Sequence, residues 1–302
     1  MKKNILILAA LLGAFIWTGC QTLDNEQTIS ERQPQSGSFI LTVNAVKGAD
    51  TKALALVGGN TLTPYWDGNE IVKVYKKGSN DPIGTMTTVT PQGEGTSATT
   101  AKLSGTISGT LENGDELTLI IFPGTTWNYS GQTGSSASLA GYDYATASVT
   151  VKGIVDVTGG KQVTTTADAT FVNEQSVWRF GFKAGETTIN VKSFSVASDH
   201  GKLAQTRSWD GNSWTSTYGT LSVTPAAATN QPLYLAVRNE NAETSENDLL
   251  SFYVFRDDDK ALYTGTQTLS GGKLGNGKFL SASAVSVTKS NLAQSGSVSE
   301  VW

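Results

Sequence analysis

The chain has 302 residues, a formal net charge of −4 and 16% charged residues. That length holds two ordinary domains with sizeable cores, while the acidic balance leaves nothing to track a phosphate backbone, so no nucleic-acid partner is expected. A single cysteine and a single histidine exclude a disulfide framework and any zinc site built on several of either residue.

Lys2 and Lys3 form a short basic region ahead of the apolar run Ile5 to Ile16. That run is too short to cross a bilayer core of ~30 Å, so residues 1–19 read as a secretory signal removed on export. Gly19 and Cys20 close it, with Trp17 where a lipobox usually carries leucine. The thiolate of Cys20 can take a diacylglyceryl group, and its amine, freed by cleavage, a further acyl chain such as palmitate. Two or more chains hold a protein firmly on a membrane. Residues 20–37 are polar and acidic, a lipidated tether.

Folded structure is expected from Ser38. In Phe39 to Val46, the residues Phe39, Leu41, Val43 and Ala45 fall on one face at period two, a half-buried strand. Asp67-Gly68 suits a tight turn, Ile71 to Tyr75 makes another strand, and Asn113-Gly114 between two alternating runs is the clearest hairpin signal. Residues 124–144 form a long Gly/Ser/Tyr loop. A composition shift near Gly159 to Asp168 divides the chain into domains at 38–165 and 166–302. Beyond it, Trp178, Phe180 and Phe182 share one face of a strand that can centre a second core. Short strands follow at Ile189 to Val196, Leu221 to Thr224, Leu233 to Val237, Leu250 to Phe255, Ala261 to Thr264 and Phe279 to Val287. With 32 glycines and no long helical period, the fold class is all-β, with antiparallel sandwiches.

The search for chemistry returns no catalytic constellation, no metal site and no cofactor. His200 lies in an apparent turn and lacks a Gly-x-Ser-x-Gly elbow to serve. Asp257-Asp258-Asp259 lacks the spaced carboxylates of a calcium loop and reads as a solvated turn. Trp127, Tyr129, Tyr142 and Tyr144 cluster in the long loop. Exposed, they would form a surface for stacking on glycans; folded back, they would cover the end of a sandwich.

In order along the chain stand Cys20, the strand Phe39 to Val46, Thr51-Lys52-Ala53, Trp66 to Ile71, Phe171 to Phe180, Tyr218 to Pro225, Leu233 to Arg238 and Leu274 to Phe279. In that order they resemble the fimbrillin-like lipoproteins, the two-domain type V pilins of Gram-negative anaerobes. The resemblance implies two transthyretin-like β-sandwiches in tandem, anchorage to the outer membrane, and polymerisation with other fimbrial subunits by strand exchange. A protease would cut after Lys52 or Lys47, the first strand would leave, and a donor tail carrying Val298, Val301 and Trp302 would fill its groove. The expected function is therefore a non-catalytic surface lipoprotein, a fimbrial subunit or adhesin component. The alternative is a lipoprotein that binds host or bacterial surface glycans or proteins.

Overall fold

The computed structural model describes residues 34–47, 55–57, 61–63, 65–92, 98–121, 126–199, 202–240, 247–269 and 276–290. Cys20, Lys52, His200, Val298, Val301 and Trp302 lie outside the described residues. The described part is β apart from one short 3-10 helix, Ser136–Tyr142, within the stretch expected to be a loop, so the all-β class anticipated by the residue pattern holds.

The first half contains β1 (Gln35–Lys47), β2 (Ala55–Val57), β3 (Thr61–Thr63), β4 (Ile71–Lys76), β5 (Gly84–Gln92), β6 (Thr100–Leu111), β7 (Glu116–Ile121), β8 (Thr126–Asn128), β9 (Ala145–Val157), β10 (Gly160–Thr165) and β11 (Ala169–Asn173). Apart from β2, β3 and β8, these strands form one eight-stranded sheet in the order β10-β1-β11-β9-β7-β4-β5-β6, with β1 also pairing β6 and β10 also pairing β9. The sheet therefore closes on itself. β1 is the closing strand: it runs antiparallel to β6 from Gln35↔Leu111 to Val46↔Thr100, and parallel to β10 and β11 on its other edge.

Three sequence expectations change here. The sheet is mixed rather than purely antiparallel, because β1 meets β10 and β11 in the parallel sense. Gln35, Ser36 and Gly37, expected to lie outside the fold, already pair with β6. And the division at 165/166 falls between β10 and β11, both members of this sheet, with Phe171 of β11 in its core.

The second half contains β12 (Ser176–Phe180), β13 (Phe182–Ala184), β14 (Thr187–Thr188), β15 (Val191–Ser198), β16 (Ala204–Trp209), β17 (Trp214–Tyr218), β18 (Leu221–Val223), β19 (Leu233–Val237), β20 (Asp248–Arg256), β21 (Ala261–Leu269), β22 (Phe279–Ser281), β23 (Val285–Ser286) and β24 (Thr288–Lys289). A five-stranded sheet, β18-β15-β20-β21-β24, faces a layer built on β12 and β13, flanked by β19, β22, β14 and β23. Between the layers Phe180 meets Phe252 edge-on at 4.9 Å and Phe182 meets Phe194 at 5.0 Å. The aromatic strand anticipated at Trp178 to Phe182 is thus the centre of this core. The single run expected over Phe279 to Val287 is broken into β22 and β23, and β12–β22 and β13–β23 pair in parallel.

The two halves are stitched by pairing. β8 leaves the first half and hydrogen-bonds to β16, in a three-stranded sheet β17-β16-β8. Trp66-Asp67-Gly68-Asn69 and Trp209-Asp210-Gly211-Asn212 share one turn chemistry, each aspartate Oδ1 accepting from the asparagine N–H at 2.8 Å, but only the second closes a hairpin, β16–β17. Its tip presses on the first half. A Cβ built on Gly211 would lie 1.7 Å from the Ser79 carbonyl oxygen. Gly211 and Gly114 share φ +95, yet nothing stands within 4 Å of a Cβ at Gly114. Gly211→Ala is therefore expected to destabilise by about 2 kcal/mol or more, and clearly more than Gly114→Ala, in thermal melts; equal shifts would refute the close approach.

Candidate functional site

β1 is the element on which the sequence reading places function, and its side chains alternate as the pattern requires. Phe39, Leu41, Val43 and Ala45 are buried in the first core, while Ser38, Ile40 and Asn44 face outward. Full burial of such side chains contributes about 1.5–3 kcal/mol each for the larger ones, so the slot β1 occupies is apolar and shaped at period two. Outward polar groups register the strand too: Ser36 Oγ lies 2.7 Å from Thr110 Oγ1, and Lys161 Nζ donates to Gln35 Oε1 at 2.7 Å.

The inward period does not stop at Ala45. Lys47 is the next residue on that face, and its side chain is 2% exposed. Its Nζ donates to the Tyr65 carbonyl at 2.8 Å and lies 3.1 Å from Asp143 Oδ2 and 3.4 Å from Glu70 Oε1, with the Trp66 ring centroid at 4.7 Å. Glu70 is held in place by the N–H groups of Asp67 and Gly68 and by the Thr88 hydroxyl. Burial raises the Glu70 pKa, but the Lys47 charge and these donors outweigh it and hold the carboxyl below its usual value. At Asp143 burial wins: the pKa is raised despite Lys47, with Glu70 and Asp67 adding to the rise. Of the two expected cleavage positions, Lys47 is thus withdrawn from any protease in the folded chain. A scissile side chain has to enter the enzyme's pocket, and this one is ion-paired inside the protein.

The aromatic cluster proposed as a binding surface is internal. Trp127 and Tyr129 are fully buried, Tyr144 nearly so, and Tyr142 is half-buried beside them. The rings fold back because β8 inserts them against the second half. Trp127 stacks on Tyr144 at 4.8 Å with planes 7° apart, and meets Trp214 of β17 at 4.1 Å. Trp209 then reaches Tyr75 of β4 at 6.2 Å. Gln132 completes the seam: its side chain donates to the Tyr129 and Ala236 carbonyls and accepts from the Ala236 N–H.

An ionic network lies under the rings. Glu174 Oε2 pairs with Arg207 and, at 3.0 Å, with Arg238, whose other nitrogen pairs with Glu240 at 3.0 Å. Arg207 covers the Trp214 ring at 4.6 Å. Burial would raise the Glu240 pKa, but hydrogen bonding and charge from Arg238, helped by Arg207 and Ser216, hold it below the usual carboxylate value.

The aspartate run behaves as a hairpin turn between β20 and β21. Asp257 pairs with Lys260 at 2.7 Å, Asp258 with Arg256 at 3.0 Å and Asp259 with Lys289 at 3.0 Å, so each carboxylate is matched by a cation. Among the described residues no group of three or more His, Cys, Asp or Glu side chains could hold a metal ion. Glu70, Asp143, Glu174, Arg207, Arg238 and Glu240 were not singled out by sequence. Lys47 carried a signal, its place on the apolar face of β1. Its partners lie 23 and 96 residues away and carry none.

No family model matches the chain, and no curated protein matches it. Among solved structures it is similar to a candidate cell adhesion protein from Parabacteroides distasonis, at 13% identity and TM-score 0.35, over 79% of this chain and 83% of that one. A candidate adhesin from Bacteroides ovatus is 8% identical at TM-score 0.34, over 88% and 98%. The shaft pilin SpaA from Lactobacillus rhamnosus GG is 12% identical at TM-score 0.31, over 85% and 99%. Superpositions this loose carry no argument about what this chain does.

Two outcomes follow from the seam. Trp127→Ala should cost about 3–5 kcal/mol of stability, read by denaturant unfolding, and an unchanged midpoint would refute its structural role. Because the folded pKa of Glu240 is depressed, its contribution is present above the unfolded value of about 4.3 and is lost as the pH falls through the folded pKa. Acid titration of the melting temperature should therefore show a shallower fall below that pH in Glu240→Gln than in the parent chain.

Proposed function

We propose that the chain is a non-catalytic, lipid-anchored surface protein, a fimbrial subunit or adhesin component held at the outer membrane through acylated Cys20. The observation that carries the reading is the position of β1. It follows the tether directly and is paired along both edges, so it joins the anchor to the fold through a whole strand of backbone hydrogen bonds and a row of buried side chains. The order of motifs that resembles the fimbrillin-like lipoproteins supports the same reading. The glycan-binding alternative loses its motivation, since the rings that suggested it are internal.

Partner subunits would be met by strand addition. The slot is there, with pockets at alternate positions, but it opens only if β1 leaves after a cut at Lys52, and the burial of Lys47 disfavours departure. We therefore place the chain among uncleaved components, an anchor or adhesin rather than a repeating shaft unit. Intact-mass spectrometry of the protein from its native membrane fraction tests this. The expected chain begins at acylated Cys20. A chain beginning near Ala53 would overturn retention of β1, and an unacylated chain with its leader intact would overturn the anchor.

A further inference from the structure

The surface role leaves one group of side chains unused. Lys47, Glu70 and Asp143 come from β1, from the segment before β4 and from the segment before β9, and they converge beside Trp66 and the carbonyl of Tyr65. Asp67, which faces Glu70 and Asp143, touches this group through its N–H, a donor to Glu70. The Lys47, Glu70 and Asp143 side chains are 2%, 9% and 17% exposed. Two carboxylates and one ammonium are a poor match for such a site, since removal of each ion from water is costly and only partly recovered by pairing. Glu70 meets its demand with three donors. Asp143 does not: its Oδ2 faces Lys47, while its Oδ1 is buried and accepts no hydrogen bond. An orphaned buried carboxylate oxygen calls for an explanation.

We propose that Lys47 Nζ and Asp143 Cγ are joined by an isopeptide bond that forms within the folded chain, with Glu70 carrying the protons. The lysine nitrogen bonds to Cγ, one Cγ–O bond of Asp143 breaks, and that oxygen leaves as water. Of the three ammonium protons, one stays on the amide nitrogen and two depart with the water. Glu70, 3.4 Å from Nζ, takes a proton to free the amine lone pair and returns it to the leaving oxygen, ending as it began. No oxidant, reductant or further reactant is involved. Burial favours each requirement: it draws Asp143 toward the neutral acid, the electrophilic form, it holds the reacting groups together, which replaces a bimolecular encounter, and it keeps out the water that would reverse the condensation. The product is a neutral amide, so a buried charge pair disappears.

The bond ties the far end of β1 to the segment preceding β9. Load entering at the tether would reach a covalent link after one strand, and β1 could not be drawn out of its slot. The inference rests on this cluster alone and stands whether or not the protein works in adhesion.

A tryptic peptide map of the denatured full-length protein tests it. In a bonded chain trypsin does not cut at Lys47, and Gln33 to Lys52 is recovered joined to Leu103 to Lys152, lighter by one water than the two peptides together. Asp143→Asn should give the same branched species by loss of ammonia instead of water, and Glu70→Gln, which keeps the side-chain volume, should leave the peptides apart. Linear Gln33 to Lys47 from folded parent protein overturns the bond outright, whatever the variants do. Full joining in Glu70→Gln overturns the part given to Glu70.

Discussion

The closure of the first sheet by β1 is the constraint on which the rest of the architecture depends. A strand edge exposes unpaired N–H and C=O groups that recruit other chains, and with one cysteine, Cys20, the chain has no disulfide to guard an opened sheet. β1 satisfies both neighbours at once, β6 on one side and β10 with β11 on the other. The parallel sense of the second pairing follows from this duty. β9 and β10 form an antiparallel hairpin, and β1 fills the gap between β10 and β6, parallel to the first and antiparallel to the second. Loss of β1 would take four residues out of the core and open two edges together.

The second constraint is the seam. A two-module chain usually flexes at a polar linker, with a modest interface between its parts. Here β8 is given away by the first half and paired with β16 of the second, so backbone hydrogen bonds cross the junction. Trp127, Tyr129 and Tyr144 belong to the core of the second half although their neighbours in sequence build the first. Beneath them, two arginines and two glutamates supply charge that the rings partly cover. Such a network adds little if its members are solvated; with Arg207 and Arg238 at 8% and 13% side-chain exposure, these pairs are shielded from water and help fix the geometry of the seam.

Much of the strand inventory was legible because burial on one face writes a period of two, as in Phe39 to Ala45 and in Trp178 to Phe182. Asn113-Gly114 marked a turn, with φ +95 at Gly114, but not the hairpin expected there: β6 pairs with β1 and β5, and β7 with β4 and β9. What was not legible is pairing between distant elements. Nothing local distinguishes a strand that closes a sheet from one at its edge, so the parallel partners of β1 went unseen. The aromatic loop misled for the same reason: a Gly/Ser-rich stretch with rings looks like surface, and only the docking of β8 makes it interior. Lys47 is the instructive residue. The resemblance implied a protease site there, but the period of β1 carries on one step past Ala45 and turns Lys47 inward, where two carboxylates meet its charge.

Lys47 also decides how the slot of β1 should be regarded. A strand meant to leave should be held by forces that act together only when it is fully seated, such as backbone pairing and apolar pockets, since these release progressively once one end frays. A strand meant to stay gains from a contact at the end remote from the pull, because fraying from the tether side then never reaches an exit. The ionic cluster sits at that remote end. Pulled from residue 34, β1 peels toward Lys47, and each residue released brings the load nearer to the one position where desolvated charges, or the amide they form, resist it. The polarity of the strand and the burial of its last residue thus favour the same outcome, a first strand that is retained.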